Sequence, residues 1–192
     1  MSGAARERAA GFLRRRLAPP PLRPPGARPE AEFAGLCIRC GRCAEVCPHR
    51  ALRPAGFARG LEAGTPMVVA REAPCWLCMR CPPACPSGAL EPIRDLRRVR
   101  MGLAVVDRDR CYAFMGIVCR TCLDACPLQG EAIRQDDDLR PVVTDRCVGC
   151  GLCEFRCPAE GSAIRVRPEA SGDRAAAAAV DTGGARGPGG GR

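Results

Sequence analysis

The sequence predicts an α+β fold in which two small modules follow one another along the chain, each built of short strands and short helices. Two observations predict it. All sixteen cysteines fall into four runs of similar spacing, and short β-rich segments precede three of these runs. Large side chains are scarce, with one Trp, one Tyr and five Phe in 192 residues. Cysteine chemistry, rather than a large apolar core, is therefore expected to hold the fold together.

The last of the four runs has the most regular spacing. It reads Cys147-Val-Gly-Cys150-Gly-Leu-Cys153-Glu-Phe-Arg-Cys157-Pro158, the C-x2-C-x2-C-x3-C-P pattern with which bacterial ferredoxins bind iron–sulfur clusters. Three cysteines three residues apart can wrap one [4Fe–4S] cube, which needs four thiolates around one small object. In two-cluster ferredoxins the fourth cysteine ligates the other cluster. The fold class is therefore that of tandem bacterial-type two-cluster ferredoxin modules.

Three more runs repeat this pattern with small departures. The candidate iron ligands, run by run, are Cys37, Cys40, Cys43 and Cys47; Cys75, Cys78, Cys81 and Cys85; Cys111, Cys119, Cys122 and Cys126; and Cys147, Cys150, Cys153 and Cys157. Four such runs predict four [4Fe–4S] clusters and leave no cysteine over. Because metal-binding energy in small metallo-domains is folding energy, we expect the chain without clusters to be largely unfolded.

Run 3 departs most, since seven residues separate Cys111 from Cys119. The apolar insert between them, residues 112–118, is predicted to cover its cluster against water, which would tune the reduction potential. The alternative is that Cys111 is a free core thiol and the third cube lacks a ligand. The run spacing favours the complete site.

Two pairings of the four runs remain open. In neighbour pairing, each of two pairs of runs exchanges its fourth cysteines. The four ligand sets are then Cys37, Cys40, Cys43 and Cys85; Cys75, Cys78, Cys81 and Cys47; Cys111, Cys119, Cys122 and Cys157; and Cys147, Cys150, Cys153 and Cys126. Nested pairing joins run 1 to run 4 and run 2 to run 3. An apolar pair follows the last cysteine by four residues in runs 1 and 2 and by six in runs 3 and 4, which favours neighbour pairing.

The rest of the chain is interpreted as scaffold and tails. Residues 1–28 are predicted to be a disordered Arg/Pro-rich tail, and residues 168–192 a disordered Ala/Gly-rich tail. The first module is predicted at 29–98 and the second at 99–167. Pro29 and the acids after it indicate a short helix ending near Leu36. The segments 67–69, 105–107 and 142–145 are β-rich and are predicted to be edge strands.

Several single residues have two possible interpretations. Trp76 is predicted to pack on a cluster rather than to act as a redox relay, and Tyr112 and Phe114 are likewise interpreted as packing residues. The only histidine, His49, is predicted to be a surface turn residue rather than a ligand or proton shuttle. The acidic residues 136–138 are predicted to form a solvated loop rather than a cation site.

The formal charge of +9 does not indicate binding to nucleic acid. Each cluster with its four thiolates adds about −2, so four clusters bring the net charge to about +1. The chain contains no lysine, and its arginine content reflects a compositional bias rather than a phosphate-binding face. No stretch approaches the apolar length of a membrane span, so no direct membrane span is expected.

Other function classes fit the sequence poorly. It has no Ser–His–Asp pattern, no P-loop and no G-x-G-x-x-G fingerprint, so an electron carrier rather than an enzyme is predicted. A zinc-binding interaction or nucleic-acid module is the alternative from another class, but zinc sites use paired C-x2-C units separated by a longer loop. A disulfide scaffold is disfavoured because no convincing secretion signal accompanies it.

Outside the cysteine runs, several linker phrases resemble those of the MauM/NapG group, the ferredoxin-type proteins of methylamine-utilisation and periplasmic nitrate-reductase systems. The phrases that carry the resemblance are Leu22-Arg-Pro-Pro-Gly26, Glu30-Ala-Glu-Phe33, Cys37-Ile-Arg-Cys40-Gly41, Gly64-Thr-Pro66, Cys85-Pro-Ser-Gly-Ala-Leu90 and Arg100-Met-Gly-Leu-Ala-Val105. The resemblance spans about residues 22–167. Cysteine spacing alone would indicate only a ferredoxin.

This resemblance implies an electron-transfer protein with four [4Fe–4S] clusters. It implies two redox partners, a membrane iron–sulfur quinol-oxidising protein and a terminal reductase or dehydrogenase. The alternative within the same chemistry is a tightly bound subunit of a molybdenum-type oxidoreductase. Group members are usually exported as folded proteins, but the run Arg14-Arg15-Arg16 is followed by prolines rather than an apolar segment. The sequence as given therefore predicts a cytoplasmic location, and the family export route a periplasmic one.

Overall fold

The structure is a computed structural model that describes residues 20–168. Its helices are α1 (Glu30–Leu36), α2 (Arg42–Glu45), α3 (Thr121–Asp124) and α4 (Leu152–Arg156). Its strands are β1 (Leu52–Pro54), β2 (Pro66–Val68), β3 (Gly102–Val106), β4 (Ile133–Gln135), β5 (Pro141–Val143) and β6 (Ile164–Pro168). Short 3₁₀ helices cover Phe57–Glu62 and Leu96–Arg98. The Arg14-Arg15-Arg16 run and most of both predicted tails lie outside the described residues.

The second module is closed by its first and last strands. Strand β3 pairs antiparallel with β6, so that Ala104 lies opposite Val166. The hairpin β4–β5, with Ile133 opposite Val143, lies between runs 3 and 4. Run 3 therefore lies between β3 and β4, and run 4 lies between β5 and β6. This order holds both runs against the same small core.

The first module repeats this topology with a reduced outer pair. Its hairpin β1–β2, with Leu52 opposite Val68, lies between runs 1 and 2. Where the second module has five paired residues, the first has a single antiparallel bridge between Ala27 and Leu90. Two backbone hydrogen bonds flank this bridge, from Arg28 N to Ala89 O at 3.0 Å and from Glu91 N to Gly26 O at 2.7 Å.

The prediction that the N-terminal tail extends to residue 28 is wrong for residues 20–28. Pro24 and Pro25 are fully buried, and Leu22 is only 7% exposed. Val68 N donates a hydrogen bond of 2.8 Å to Leu22 O, which ties this extended segment to the edge of β2. Their composition predicted disorder, but these prolines contribute apolar rings to the core. An extended segment tolerates them because it forms no helical hydrogen bonds that would need the missing N–H.

The strands and helix predicted from local pattern are confirmed, with boundaries shifted by a few residues. The predicted helix ending near Leu36 is α1, and the segments 67–69, 105–107 and 142–145 correspond to β2, β3 and β5. The apolar pairs that follow the four runs are all buried. They are Ala51 and Leu52, Ala89 and Leu90, Ala132 and Ile133, and Ala163 and Ile164. Three of these pairs lead directly into a strand, so they join each cysteine run to the core.

Arg23 anchors the N-terminal segment and is buried itself. Its guanidinium forms a salt bridge with Glu30 and donates a hydrogen bond of 2.7 Å to the Thr65 hydroxyl. It also lies over the Phe33 ring, with the guanidinium carbon 4.4 Å from the ring centroid. Removing one partner of a buried, hydrogen-bonded ion pair leaves the charge of the other partner uncompensated. This loss of a partner destabilises the folded state strongly.

Arg23→Ala is therefore expected to lower the free energy of unfolding by about 3 kcal/mol. Anaerobic urea unfolding of the cluster-loaded protein measures this, with the visible absorption as the signal. Arg28→Ala is the matched control, because Arg28 forms exposed ion pairs with Glu32 and Glu91 that contribute little. Equal effects of the two substitutions would contradict the assigned role of Arg23.

The two modules share one core rather than meeting at a linker. Buried residues of the first module, including Leu77 and Leu90, belong to the same apolar cluster as Val148 and Leu152 of the second. Cys75 N of the first module donates a hydrogen bond of 2.9 Å to Cys150 O of the second across this boundary. The two modules are therefore expected to fold as one cooperative unit.

Candidate metal centres

The sixteen cysteines line four cavities, four to each. Site 1 is defined by Cys37, Cys40, Cys43 and Cys85, site 2 by Cys47, Cys75, Cys78 and Cys81, site 3 by Cys111, Cys119, Cys122 and Cys157, and site 4 by Cys126, Cys147, Cys150 and Cys153. All sixteen thiols are free. Each site takes three cysteines from one run and the fourth from its neighbouring run, which is the grouping of the neighbour pairing. Cys111 lies with three other thiols and is not an isolated core cysteine.

Glycine in the left-handed conformation shapes two of the runs. Gly41 (φ 78°) follows the second cysteine of run 1 directly and precedes α2, and Gly151 (φ 84°) does the same in run 4 before α4. The chain reverses at this residue, so the third cysteine lies on the first turn of the helix and faces the same cavity. In run 2 the corresponding residue is Met79, which adopts φ 56° without being glycine.

Burial dominates the electrostatics of sites 2 and 4. It raises the pKa of Cys75 to about 11 and those of Cys81 and Cys150 to about 12. Neighbouring thiolate charge acts in the same direction, because like charges disfavour ionisation. Thiols with such pKa values are protonated at neutral pH, so filling these sites with metal releases protons.

The fourth cysteines of runs 1 and 4 accept hydrogen bonds from the apolar pairs that follow them. Ala51 N donates to Cys47 Sγ at 3.4 Å, and Ala163 N donates to Cys157 Sγ at 3.3 Å. Hydrogen bonds to ligand sulfur are one of the factors that set the potential of an iron–sulfur centre. The apolar pairs after runs 1 and 4 thus join the run to the core. The backbone N–H of their alanine also donates a hydrogen bond to the ligand sulfur.

Several hydrogen-bond donors surround the Cys85 thiol of site 1. Burial acts to raise the pKa of this thiol, but hydrogen bonds from the Ser87 side chain and from the backbone amides of Leu90, Ser87 and Ala89 outweigh it and lower the pKa. The Ser87 Oγ lies 3.6 Å from Cys85 Sγ. Donors aimed at one sulfur stabilise additional negative charge there.

Ser87→Ala is expected to lower the reduction potential of site 1 by about 40 mV, taking about 1 kcal/mol for the lost hydrogen bond. Anaerobic redox titration followed by EPR measures the shift. Thr121→Ala is the reciprocal control, because Thr121 Oγ1 lies 3.8 Å from Cys119 Sγ in site 3. A shift of the same signal in both variants would contradict the assignment.

Trp76 and His49 lie at the same site. Both line the cavity of site 2, and their rings stack with centroids 5.2 Å apart and an interplanar angle of 23°. The prediction that His49 lies in an exposed turn is confirmed. Its stacking on Trp76 was not predicted, because the two residues are distant in sequence and only the folding of runs 1 and 2 around one site brings them together.

The insert in run 3 covers its site less than predicted. Tyr112 lines site 3 and Ala113 is buried, but Met115, Ile117 and Val118 are exposed. The prediction that the whole insert shields the site from water is therefore wrong for residues 115–118. The backbone of Ile117 donates to Tyr112 O at 2.9 Å, which folds the insert into a turn that points its apolar tip outward.

The acidic residues 136–138 lie in a loop, which confirms that part of the prediction. Residues 136–138 connect β4 to β5, and the Asp136 carboxylate accepts hydrogen bonds from the backbone of Asp138 and Arg140. Across residues 20–168, no three His, Cys, Asp or Glu side chains lie close enough to hold one metal ion. The four thiols of each site instead line the walls of a cavity. Within the same residues, no helix has the length and apolar character needed to cross a bilayer.

Comparison with protein families and individual proteins gives one consistent answer. Two family models match, each described as a 4Fe-4S dicluster domain, one over residues 36–89 and the other over residues 103–158. The two matches contain runs 1 and 2 and runs 3 and 4, respectively. Two dicluster domains hold two clusters each, so four clusters are indicated in total.

Individual relatives match over most of the chain. The ferredoxin-type protein NapG of Escherichia coli (strain K12) is 44% identical over 162 residues, which cover 77% of this chain and 70% of that protein. The methylamine utilization ferredoxin-type protein MauM of Methylorubrum extorquens is 42% identical, with 79% and 74% covered. MauM of Methylobacillus flagellatus is 41% identical, with 84% and 75% covered.

Proposed function

Because the chain belongs to the NapG/MauM family of ferredoxin-type proteins and is an iron–sulfur electron-transfer protein, we propose that it relays electrons from a membrane- or quinol-linked donor to a terminal oxidoreductase. In this role it acts as a carrier of electrons between other proteins. Its cofactors are [4Fe–4S] clusters, two in each dicluster domain.

The observation that carries the proposal is the grouping of sixteen thiols into four sets of four. The number and softness of the donors in each set fit a [4Fe–4S] cluster, which when bound accepts or releases one electron. The four thiols of each set would hold it, and buried pairs such as Ala51 and Leu52, which line site 2, would keep water away from it. Backbone amides such as Ala163 N direct hydrogen bonds to its ligands.

The names of the relatives support the proposal that the chain passes electrons between a donor and an acceptor. MauM is named for methylamine utilization, and both MauM and NapG are named as ferredoxin-type proteins. An electron carrier in such a setting has a donor and an acceptor that are separate proteins. We propose that in this chain the acceptor is an oxidoreductase and that the donor is linked to the quinol pool.

The cofactor part of the proposal is tested by anaerobic purification with iron, sulfide and zinc analysis and EPR. About sixteen iron atoms per chain and reduced-cluster signals are expected from four cysteine-ligated cubes. Stoichiometric zinc without broad visible absorption would overturn it.

The relay is tested with the loaded protein and quinol-containing membranes from the source cells under anaerobic conditions. Reduction of the protein should bleach its visible absorption. The control is the same mixture after the quinol pool has been oxidised. A protein that stays oxidised with reduced membranes, but is reduced by a soluble dithionite control, would contradict the proposed donor.

A further inference from the structure

The two modules meet at two of the four sites. Cys75 N donates a backbone hydrogen bond of 2.9 Å to Cys150 O. Cys75 belongs to site 2 and Cys150 to site 4, and each residue is only 7% exposed. Sites 2 and 4 are therefore direct neighbours across the module boundary, although run 3 separates their runs in the sequence.

The remaining sites lie on either side of this pair. In the first module, Cys37, Cys43 and Cys85 of site 1 pack against the apolar cluster that contains Cys75 and Cys81 of site 2. In the second, Cys122 and Cys157 of site 3 pack against another cluster, which contains Cys153 of site 4 and no cysteine of sites 1 or 2. Site 4 contacts both clusters, because Cys150 belongs to the first and Cys153 to the second. The spatial order of the sites is thus 1, 2, 4, 3.

We propose that the Cys75–Cys150 hydrogen bond is the place where an electron crosses between the modules, so that sites 1 and 3 are the two ends at which electrons enter and leave. This rests on the proposed function. With clusters bound, the crossing would move one electron from the group held by the site 2 thiols to the group held by the site 4 thiols. No bond forms or breaks, and no proton moves.

The route between the two ligand sulfurs is short and continuous. It runs from Cys75 Sγ through its Cβ and Cα to the amide nitrogen, across the hydrogen bond, and through the Cys150 carbonyl, Cα and Cβ to its Sγ. Val148 and Leu152 belong to the buried cluster around this contact. Buried apolar packing excludes water from the crossing and keeps both ligands in one position.

Gly151 permits this close approach. A Cβ at position 151 would overlap the Cβ of Ala70 and would lie 3.9 Å from the Cβ of Pro74, both in the segment that leads into run 2. The exposed Arg71 side chain stabilises the same contact, because its guanidinium donates a hydrogen bond of 2.9 Å to Glu154 O in α4. A side chain at position 151 must therefore push runs 2 and 4 apart.

The first experiment compares Gly151→Ala with Gly41→Ala in the loaded, fully reduced protein that also carries Cys40→Ser and Cys119→Ser. Only sites 2 and 4 are intact in that protein, so the splitting reports this pair and not the pairs within each module. Both glycines follow the second cysteine of a run with similar positive φ, but a Cβ at position 41 has nothing within 4 Å. Gly41→Ala therefore carries the same backbone strain without the clash. The readout is the spin–spin splitting in EPR spectra, with iron content as a check that the sites stay filled.

The expected result is that Gly151→Ala weakens the splitting and Gly41→Ala preserves it. The double variant Ala70→Gly with Gly151→Ala removes the overlapping methyl group and should restore it. If Gly151→Ala keeps its iron and the full splitting, or if the double variant does not recover it, the crossing is not at this contact.

A second experiment tests the order of the sites directly. Cys40→Ser with Cys119→Ser removes one ligand each from sites 1 and 3 and leaves sites 2 and 4 intact. Cys78→Ser with Cys147→Ser does the reverse. The first pair should retain a strong splitting, and the second should give the spectra of isolated centres. The opposite result would overturn the order, whereas a wild-type protein without iron–sulfur signals would overturn the proposed function itself.

Discussion

Removing iron from the loaded protein is expected to unfold residues 20–168 almost completely. The strands are only three to five residues long, and the longest helix has seven residues. Elements this short are not stable alone. Structural metal sites contribute on the order of 10 kcal/mol each in small domains, which is as large as the whole net stability of an ordinary domain.

The cysteines are also part of the core that would remain. Cys75, Cys81 and Cys150 belong to the apolar cluster that joins the two modules. Loss of the groups they hold leaves a cavity in the centre of this cluster, so both modules should unfold together rather than one after the other.

Far-UV circular dichroism and amide hydrogen exchange before and after anaerobic chelation measure this effect. The most protected amides of the loaded protein should be those of the β3–β6 pair, which has the longest ladder. The control is the same chelator applied for a time too short to remove iron. Native-like protection of β3 and β6 after complete iron removal would contradict the prediction.

The second large effect is expected from single ligand substitutions. Cys157→Ser should cost about four of about sixteen iron atoms, because one missing thiolate opens one cube. The affected site should be site 3, whose other ligands lie in run 3, although Cys157 itself lies in run 4.

Double variants reveal which cysteines share a site, because substitutions in one site are not additive. Cys119→Ser combined with Cys157→Ser should still lose about four iron atoms, since both residues belong to site 3. Cys147→Ser combined with Cys157→Ser should lose about eight, since it damages two sites. Iron analysis of the purified proteins gives the result. Under nested pairing Cys157 would instead share a site with Cys40, and their double variant would lose only about four iron atoms.

The sequence predicted the candidate ligands and their grouping because cluster binding imposes a local rule. Three thiols must come from one tight loop, and the fourth from a partner run, so the spacing leaves open only which runs are partners. The apolar pairs after the runs then favoured the grouping that the cavities have. Strands β2, β3 and β5 were predictable for the same reason, since each is a local run of β-branched residues.

Features that depend on contacts between distant segments could not be predicted. The buried prolines Pro24 and Pro25 look like those of an unfolded tail until the edge of β2 lies beside them. The apolar tip of the run 3 insert gives no sign in the sequence of whether it faces the site or the solvent. The overlap between positions 151 and 70 depends on how two modules dock, and no local pattern describes that.

Exchange of the fourth cysteine has a consequence for biosynthesis. Site 1 is incomplete until Cys85 has left the ribosome, and site 2 needs Cys47 from the run made before it. Neither run completes a site by itself, so the machinery that delivers iron must act on a module in which both runs are present. A nascent chain that stalls between run 1 and run 2 exposes four thiols, three of site 1 and one of site 2, with no complete site among them, and is a substrate for oxidation or degradation rather than for assembly.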